Sequence, residues 1–190
     1  GRLIRIIDAT SVPKKGPRAR KKNEVWRIHS AFDLPQERFG HFELTDQKAG
    51  ETLDRIPVVA GEIRLADRAY VQPDRMARLI EAGADIVIRA GWKSARWLDG
   101  EGNVVDLVAE LKASVRGLID RPIWIKRKRG APLALRLVAI KKPAEAAAVA
   151  LADRSPRCPE DDLLALGLER LDDLVEVAVP GPDDVHRDLR

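Results

Sequence analysis

Two aspartates fall where a folded chain has little reason to place a charge. Asp8 sits inside Arg5-Ile6-Ile7-Asp8-Ala9-Thr10, and Asp67 closes Ile63-Arg64-Leu65-Ala66 and opens Arg68-Ala69-Tyr70. A carboxylate within a buried strand is costly unless it is paired or binds a cation, and catalytic groups favour strand ends. If the two strands are neighbours, their carboxylates can converge on a divalent metal. Hard cations such as Mg2+ or Mn2+ take oxygen ligands, and two of them about 3.5 to 4 Å apart activate water and stabilise a leaving oxygen in phosphodiester cleavage. The same residues also fit a plain structural role, Asp8 as a strand-end cap and Asp67 as an ion-pair partner of Arg68.

Polyanion binding is the second chemistry on offer. Lys14-Lys15-Gly16-Pro17-Arg18-Ala19-Arg20-Lys21-Lys22 puts six cations into nine residues and reads as a basic loop. Lys126, Arg127, Lys128 and Arg129 lie in a stretch, Arg121 to Lys142, with eight basic residues and no acidic one. The net charge of +4 hides a polarity: residues 151–190 hold 5 basic and 11 acidic groups, which leaves +10 on residues 1–150. A body of that charge attracts polyanions at long range, and nucleic acid is the commonest one a cytoplasmic protein meets. A solvated basic surface with no such partner is the alternative.

Other chemistries find less support. One cysteine, Cys158, makes neither an intramolecular disulfide nor a zinc site, which predicts a reducing, cytoplasmic setting. No apolar stretch approaches the roughly 20 residues of a membrane-spanning helix, and Gly1 to Asp8 has no signal-peptide core, so neither membrane insertion nor secretion is expected. His29, His41 and His186 lack metal-ligand spacing. No Ser, His and Asp grouping or glycine-rich phosphate loop has the context it requires. Trp92, Trp97 and Trp124 read as packing residues, with stacking on an unpaired base as the alternative.

The elements that must position these groups follow from periodicity and turn residues. Leu3 to Val12, Trp26 to Phe32 and Phe39 to Thr45 read as three strands of an antiparallel meander. Gln47 to Arg55 suits a short helix stopped before Pro57, and Glu62 to Ala66 a strand that delivers Asp67. Pro73 to Ala82 reads as a helix with Pro in its first turn and Gly83 as its stop, and Asp85 to Arg89 as a buried strand. The order β-β-β-α-β-α-β predicts a mixed α/β sheet with helices on its faces. Beyond Gly91, Arg96 to Leu98 and Val104 to Asp106 flank a hairpin turn, Leu107 to Ser114 suits a helix, and Pro122 to Arg129 pairs with Leu133 to Lys142.

With Arg5-Ile6-Ile7-Asp8-Ala9-Thr10, Trp26-Arg27-Ile28-His29, Phe32-Asp33-Leu34-Pro35, His41-Phe42-Glu43-Leu44-Thr45-Asp46 and Leu65-Ala66-Asp67-Arg68-Ala69-Tyr70 in this order, the sequence resembles the core of an insertion-sequence family 4 DDE transposase over roughly residues 2–145. The resemblance implies an RNase H-like core with strands 1 and 4 side by side, and a β-rich insertion before the helix bearing the third acid. It implies Asp8 as the first catalytic acid and Asp67 as the second, Mg2+ or Mn2+ as cofactor, and DNA, both transposon ends and target, as partner. A homodimer is a candidate assembly for the complete enzyme.

The sequence departs from that pattern downstream. The family's third acid stands in a Tyr-Arg-Glu-Lys signature, and the one tyrosine here is Tyr70. Glu160, Glu169 and Glu176 lack the matching neighbours and are left unassigned. The expected organisation is therefore an incomplete RNase H-like catalytic core over 1–91, a β-rich basic insertion over 92–145, and an acidic tail over 146–190 that reads as foreign to the fold. Three functions follow: a truncated metal-dependent DNA strand-transfer core, a catalytically inactive nucleic-acid-binding remnant of one, and an α/β domain with no nucleic-acid role.

Overall fold

Alternating apolar residues and a Pro-containing connection make the first three strands a meander. β1 (Ile4–Pro13), β2 (Val25–Asp33) and β3 (Arg38–Asp46) pair antiparallel in chain order. A 3-10 turn at Leu34–Gln36 joins the last two, with Pro35 in its first positions and Glu37 in the left-handed region at φ 49°. The structure, a computed structural model, describes residues 1–14, 25–46, 48–141 and 175–178.

The segment after β3 departs from expectation. No α-helix forms over the described part, 48–55, of the helix expected from Gln47 to Arg55: Thr52 is extended, and Leu53–Arg55 makes a 3-10 turn. The cause is tertiary. The buried Arg64 guanidinium takes the carbonyls of Leu53, Ile56 and Pro57 as its acceptors, which holds this connection irregular while Leu53 and Ile56 sink into the core.

β4 (Ile63–Ala66) then runs parallel to β1, and β5 (Asp85–Ala90) parallel to β4. Between them α1 (Pro73–Glu81) buries Met76, Ala77 and Leu79, starting on Pro73 and stopping at Gly83, whose φ of 86° few other residues adopt cheaply. The core beneath this part comprises Ile7, Ala31, Leu53, Ile56, Tyr70, Met76, Leu79, Ile86 and Ile88. The opposite face is more open, with Phe39, Phe42 and Leu44 exposed.

Beyond β5 the chain forms β6 (Trp97–Leu98), α2 (Leu107–Ala113), β7 (Leu118–Ile125) and β8 (Leu133–Ile140). Asp99 accepts the Glu101 and Asn103 N–H groups and closes the expected hairpin, and Asp106 caps α2 through the N–H groups of Val108 and Ala109. β9 (Val175–Ala178) lies between β5 and β8, both antiparallel to it, and completes a nine-stranded sheet in the order β3-β2-β1-β4-β5-β9-β8-β7-β6. The architecture is mixed α/β. The rest of the 146–190 tail, Glu160, Glu169 and His186 included, lies outside the described residues. Among the described residues no helix is long and apolar enough to cross a membrane.

Candidate functional site

The parallel register of β1 on β4, carried two residues past its last pair, sets the two aspartates level. Ile4 stands opposite Ile63, Arg5 opposite Arg64 and Ile6 opposite Leu65, and Asp8 and Asp67 lie two residues further along. Asp67 follows the last residue of β4 with its backbone still extended, at φ −89° and ψ −176°. Neighbouring strands are about 5 Å apart, so carboxylates at one level can reach the same cation. Both residues are exposed. Asp67 accepts the Ala69 N–H at 2.8 Å, which caps the turn Arg68–Tyr70 and fixes one carboxylate oxygen.

Beneath them lies Tyr70, 1% exposed. Burial chiefly, and then the negative charges of Glu51, Asp8 and Asp67, push its phenol well above the ordinary tyrosine range, while Arg27 acts in the opposite sense. One phenol thus senses three carboxylates. Glu51 was not singled out by the sequence: it falls in the segment expected to be helical, and its spacing carries no signal. Its carboxylate lies 3.4 Å from the Arg27 guanidinium, and its carbonyl accepts the Gln72 side-chain amide at 2.7 Å.

The level pairing rests on a buried charge network just upstream. Arg64 and Glu62, both with fully buried side chains, pair at 2.6 Å. Glu62 also meets Arg5 at 3.1 Å, and Arg5 meets Asp33 at 2.8 Å. Asp33 in turn lies against Gly40, where an added Cβ would stand 2.2 Å from the Asp33 carboxylate. The network ties β4 to β1, β2 and β3, three residues before Asp8 and Asp67.

The residues present fit a divalent cation in part. Asp8 and Asp67 are hard oxygen donors at one level, and neither makes an ion pair among the described residues. Among the described residues no group of three or more His, Cys, Asp or Glu side chains is arranged to hold a metal ion. His29 is buried in β2 with Nε2 2.9 Å from the Thr45 hydroxyl.

The expected nucleic-acid contacts divide. Lys15, Arg18, Arg20, Lys21 and Lys22 lie outside the described residues, while Lys14 stands over the Trp26 ring at 4.0 Å. Lys126 to Arg129 are not strand residues as expected. β7 ends at Ile125, opposite Leu133, because the N–H groups of Lys128 and Arg129 turn to the Asp74 carboxylate instead of continuing the ladder. Trp97 is buried and donates its indole N–H to the Trp92 carbonyl at 2.8 Å, a packing role.

Residues 1–136 match the family described as "Transposase DDE domain". Over 155 residues the chain is 33% identical to the "Putative transposase InsL for insertion sequence element IS186A" of Escherichia coli (strain K12), and 33% identical to the "Transposase for insertion sequence element IS421" of Escherichia coli. Each match covers 78% of this chain and 41% of the relative, so the chain spans about two-fifths of the length of these relatives.

Proposed function

We propose, from the premise that this chain belongs to the transposase DDE domain family, that it serves DNA transposition as part of an RNase H-like core, its Asp8 and Asp67 being acids of a metal-dependent site for cutting and joining DNA strands. The observation that carries this reading is the parallel register of β1 against β4, which, carried two residues further, sets the exposed Asp8 opposite the exposed Asp67. Asp8 and Asp67 would hold Mg2+ or Mn2+. Such an ion, when bound, polarises a phosphoryl oxygen and lowers the pKa of water. The chain's own residues supply the rest. Asp67 is oriented by the Ala69 N–H, and Tyr70 stays neutral beneath the site because burial and the surrounding carboxylates hold its proton. Lys14, Lys15, Arg18, Arg20, Lys21 and Lys22, with the 126–129 loop, would grip the phosphate backbone.

The relatives are named as transposases of insertion sequences, which supports DNA, both element ends and target, as the partner. A cytoplasmic location and a homodimer of the complete enzyme belong to the same proposal. One observation favours a second reading, a DNA-binding domain without activity: no third carboxylate joins the pair in a metal-holding group among the described residues. Positioning a second ion for in-line attack takes a further acidic ligand in most such sites. The 190-residue chain is therefore expected to bind Mn2+ weakly, to lose about tenfold in affinity on Asp8→Asn or Asp67→Asn, and to nick DNA little. Folded chain that takes up no Mn2+ would sink the acid-pair reading. Robust Mg2+-dependent nicking that vanishes in Asp67→Asn would sink the inactive one.

A further inference from the structure

The loop between β7 and β8 carries Lys126, Arg127, Lys128 and Arg129 and does not hang free in solvent. It is held to the first turn of α1 by a single carboxylate. Asp74 accepts the backbone N–H of Lys128 at 3.3 Å through one oxygen and that of Arg129 at 3.4 Å through the other. Arg127 turns inward to the same group, its Nε 3.5 Å from Asp74, with Glu81 of the same helix at 3.9 Å from its Nη1. Gly130 closes the loop at φ 84°, a conformation open to glycine at little cost. These contacts hold the Asp74 carboxyl below the usual carboxylate range, the two backbone N–H groups and Arg127 outweighing the cost of desolvation.

Two consequences follow. Arg127 is occupied within the fold, whereas the side chains of Lys126, Lys128 and Arg129 are exposed. The anchoring carboxylate stands seven residues after Asp67, across the turn Arg68–Tyr70 and the start of α1, so the cationic tip is fixed to the segment that leaves the acid pair. Backbone groups held by a carboxylate present their side chains in one arrangement, which lowers the ordering cost of gripping phosphates.

We infer that Asp74 is a positioning residue for nucleic acid: it latches the insertion tip to the core so that Lys126, Lys128 and Arg129 grip a phosphodiester backbone beside the Asp8 and Asp67 carboxylates, while Arg127 serves the latch. This rests on the DNA-binding reading above. The latch makes a prediction opposite in sign to that of charge alone. Asp74→Ala raises the net charge from +4 to +5, which by itself tightens binding to a polyanion. Loss of a latch weakens it instead.

The test is fluorescence anisotropy of the 190-residue chain on a labelled duplex across a salt series, with circular dichroism of every variant. Lys126→Ala, Lys128→Ala and Arg129→Ala are each expected to weaken binding and to reduce the salt slope by about 1. Asp74→Ala is expected to weaken binding by about threefold or more. Asp74→Asn keeps the side-chain volume and is the measurement to use if the alanine variant does not fold, with a smaller loss expected. Binding that is unchanged or tighter in the folded Asp74 variants overturns the latch while leaving DNA binding intact. A second readout needs no DNA: in the unaltered chain the amide proton shifts of Lys128 and Arg129 should titrate together at a pH below the ordinary carboxylate range. Amides that do not move overturn the latch by themselves, and an unaltered chain that binds no duplex at low salt overturns the DNA reading and the phosphate role with it.

Discussion

Replacing Arg64 by Met keeps most of the unbranched stem of the side chain and removes the guanidinium from a site with no access to water. Four acceptors lose a donor: the Glu62 oxygen and the Pro57 carbonyl each keep a second one, the Val59 N–H and the Arg5 guanidinium, while the carbonyls of Leu53 and Ile56 lose theirs. Glu62 is left fully buried with Arg5 as its remaining ion-pair partner at 3.1 Å. Removing one member of a buried pair costs about 3 to 5 kcal/mol where the other charge is left uncompensated, and with Arg5 still beside Glu62 the lower part of that range applies. The orphaned carbonyls of Leu53 and Ile56 add roughly 1 to 2 kcal/mol together, while the Pro57 carbonyl keeps the Arg5 guanidinium as its donor at 3.3 Å. A loss of about 4 to 6 kcal/mol is a large share of the roughly 5 to 15 kcal/mol that holds a domain folded.

Urea unfolding followed by tryptophan fluorescence reads the effect directly, as a midpoint lowered by about 2 to 3 M for a slope near 2 kcal/mol per M. Arg64→Lys should fall between, since a point charge cannot serve Glu62 and three carbonyls at once. Adding Glu62→Gln to Arg64→Met should restore roughly 2 kcal/mol by removing the stranded charge. A loss under about 1 kcal/mol for Arg64→Met would refute the claim that this guanidinium holds the 53–57 connection and the level pairing of β1 with β4.

Tyr70 is the one tyrosine of the chain, so its titration can be followed by ultraviolet absorbance. Its midpoint should lie above that of a free phenol and move down in Asp8→Asn or Asp67→Asn; because the folded state holds the proton more tightly, stability is full below pH of about 10 and falls as pH rises beyond it. His29 is held below the usual imidazole range by burial first and then by Arg55, with Arg27 and His41 acting alike and Glu43 opposing. The unfolded chain therefore binds the extra proton first, and stability should drop as pH falls below about 6.5, a dependence that His29→Gln should flatten in thermal melts. Gly40→Ala would force its Cβ to within 2.2 Å of the Asp33 carboxylate and displace it from Arg5, a loss of about 1 to 3 kcal/mol in the same urea assay.

What was legible in the sequence was local. The three meander strands, α1 and the Asp99 hairpin follow from alternation, from Pro73 and Gly83, and from an Asp that satisfies its own turn, and each appears within a few residues of the expected bounds. The helix expected over Gln47 to Arg55 failed over its described part because the chain around its end is set by a donor outside it: Arg64 binds the carbonyls of Leu53, Ile56 and Pro57. The 126–129 loop failed for a related reason, since two N–H groups prefer a carboxylate on α1 to a strand partner. Neither donor nor acceptor is visible in a window of ten residues.

The strand carrying Asp67 makes the limit plain. Alternation alone would turn Ile63 and Leu65 inward and leave Glu62 and Arg64 to solvent. The structure does the reverse, with Glu62 and Arg64 fully buried and Ile63 and Leu65 half-buried. Two opposite charges that satisfy each other and their surroundings can occupy core positions, and nothing in their spacing distinguishes them from a solvated pair. Asp8 and Asp67 stand out in the sequence for the converse reason: each interrupts or ends an apolar run with a charge that its own strand leaves without an ion-pair partner. Recognising the pair needed only the strands, but recognising which other carboxylates approach it needed the connections. Glu51 reaches the neighbourhood of Tyr70 on the irregular segment that Arg64 holds, so the electrostatics of the site depend on a buried cation that sequence reasoning would have assigned to the surface.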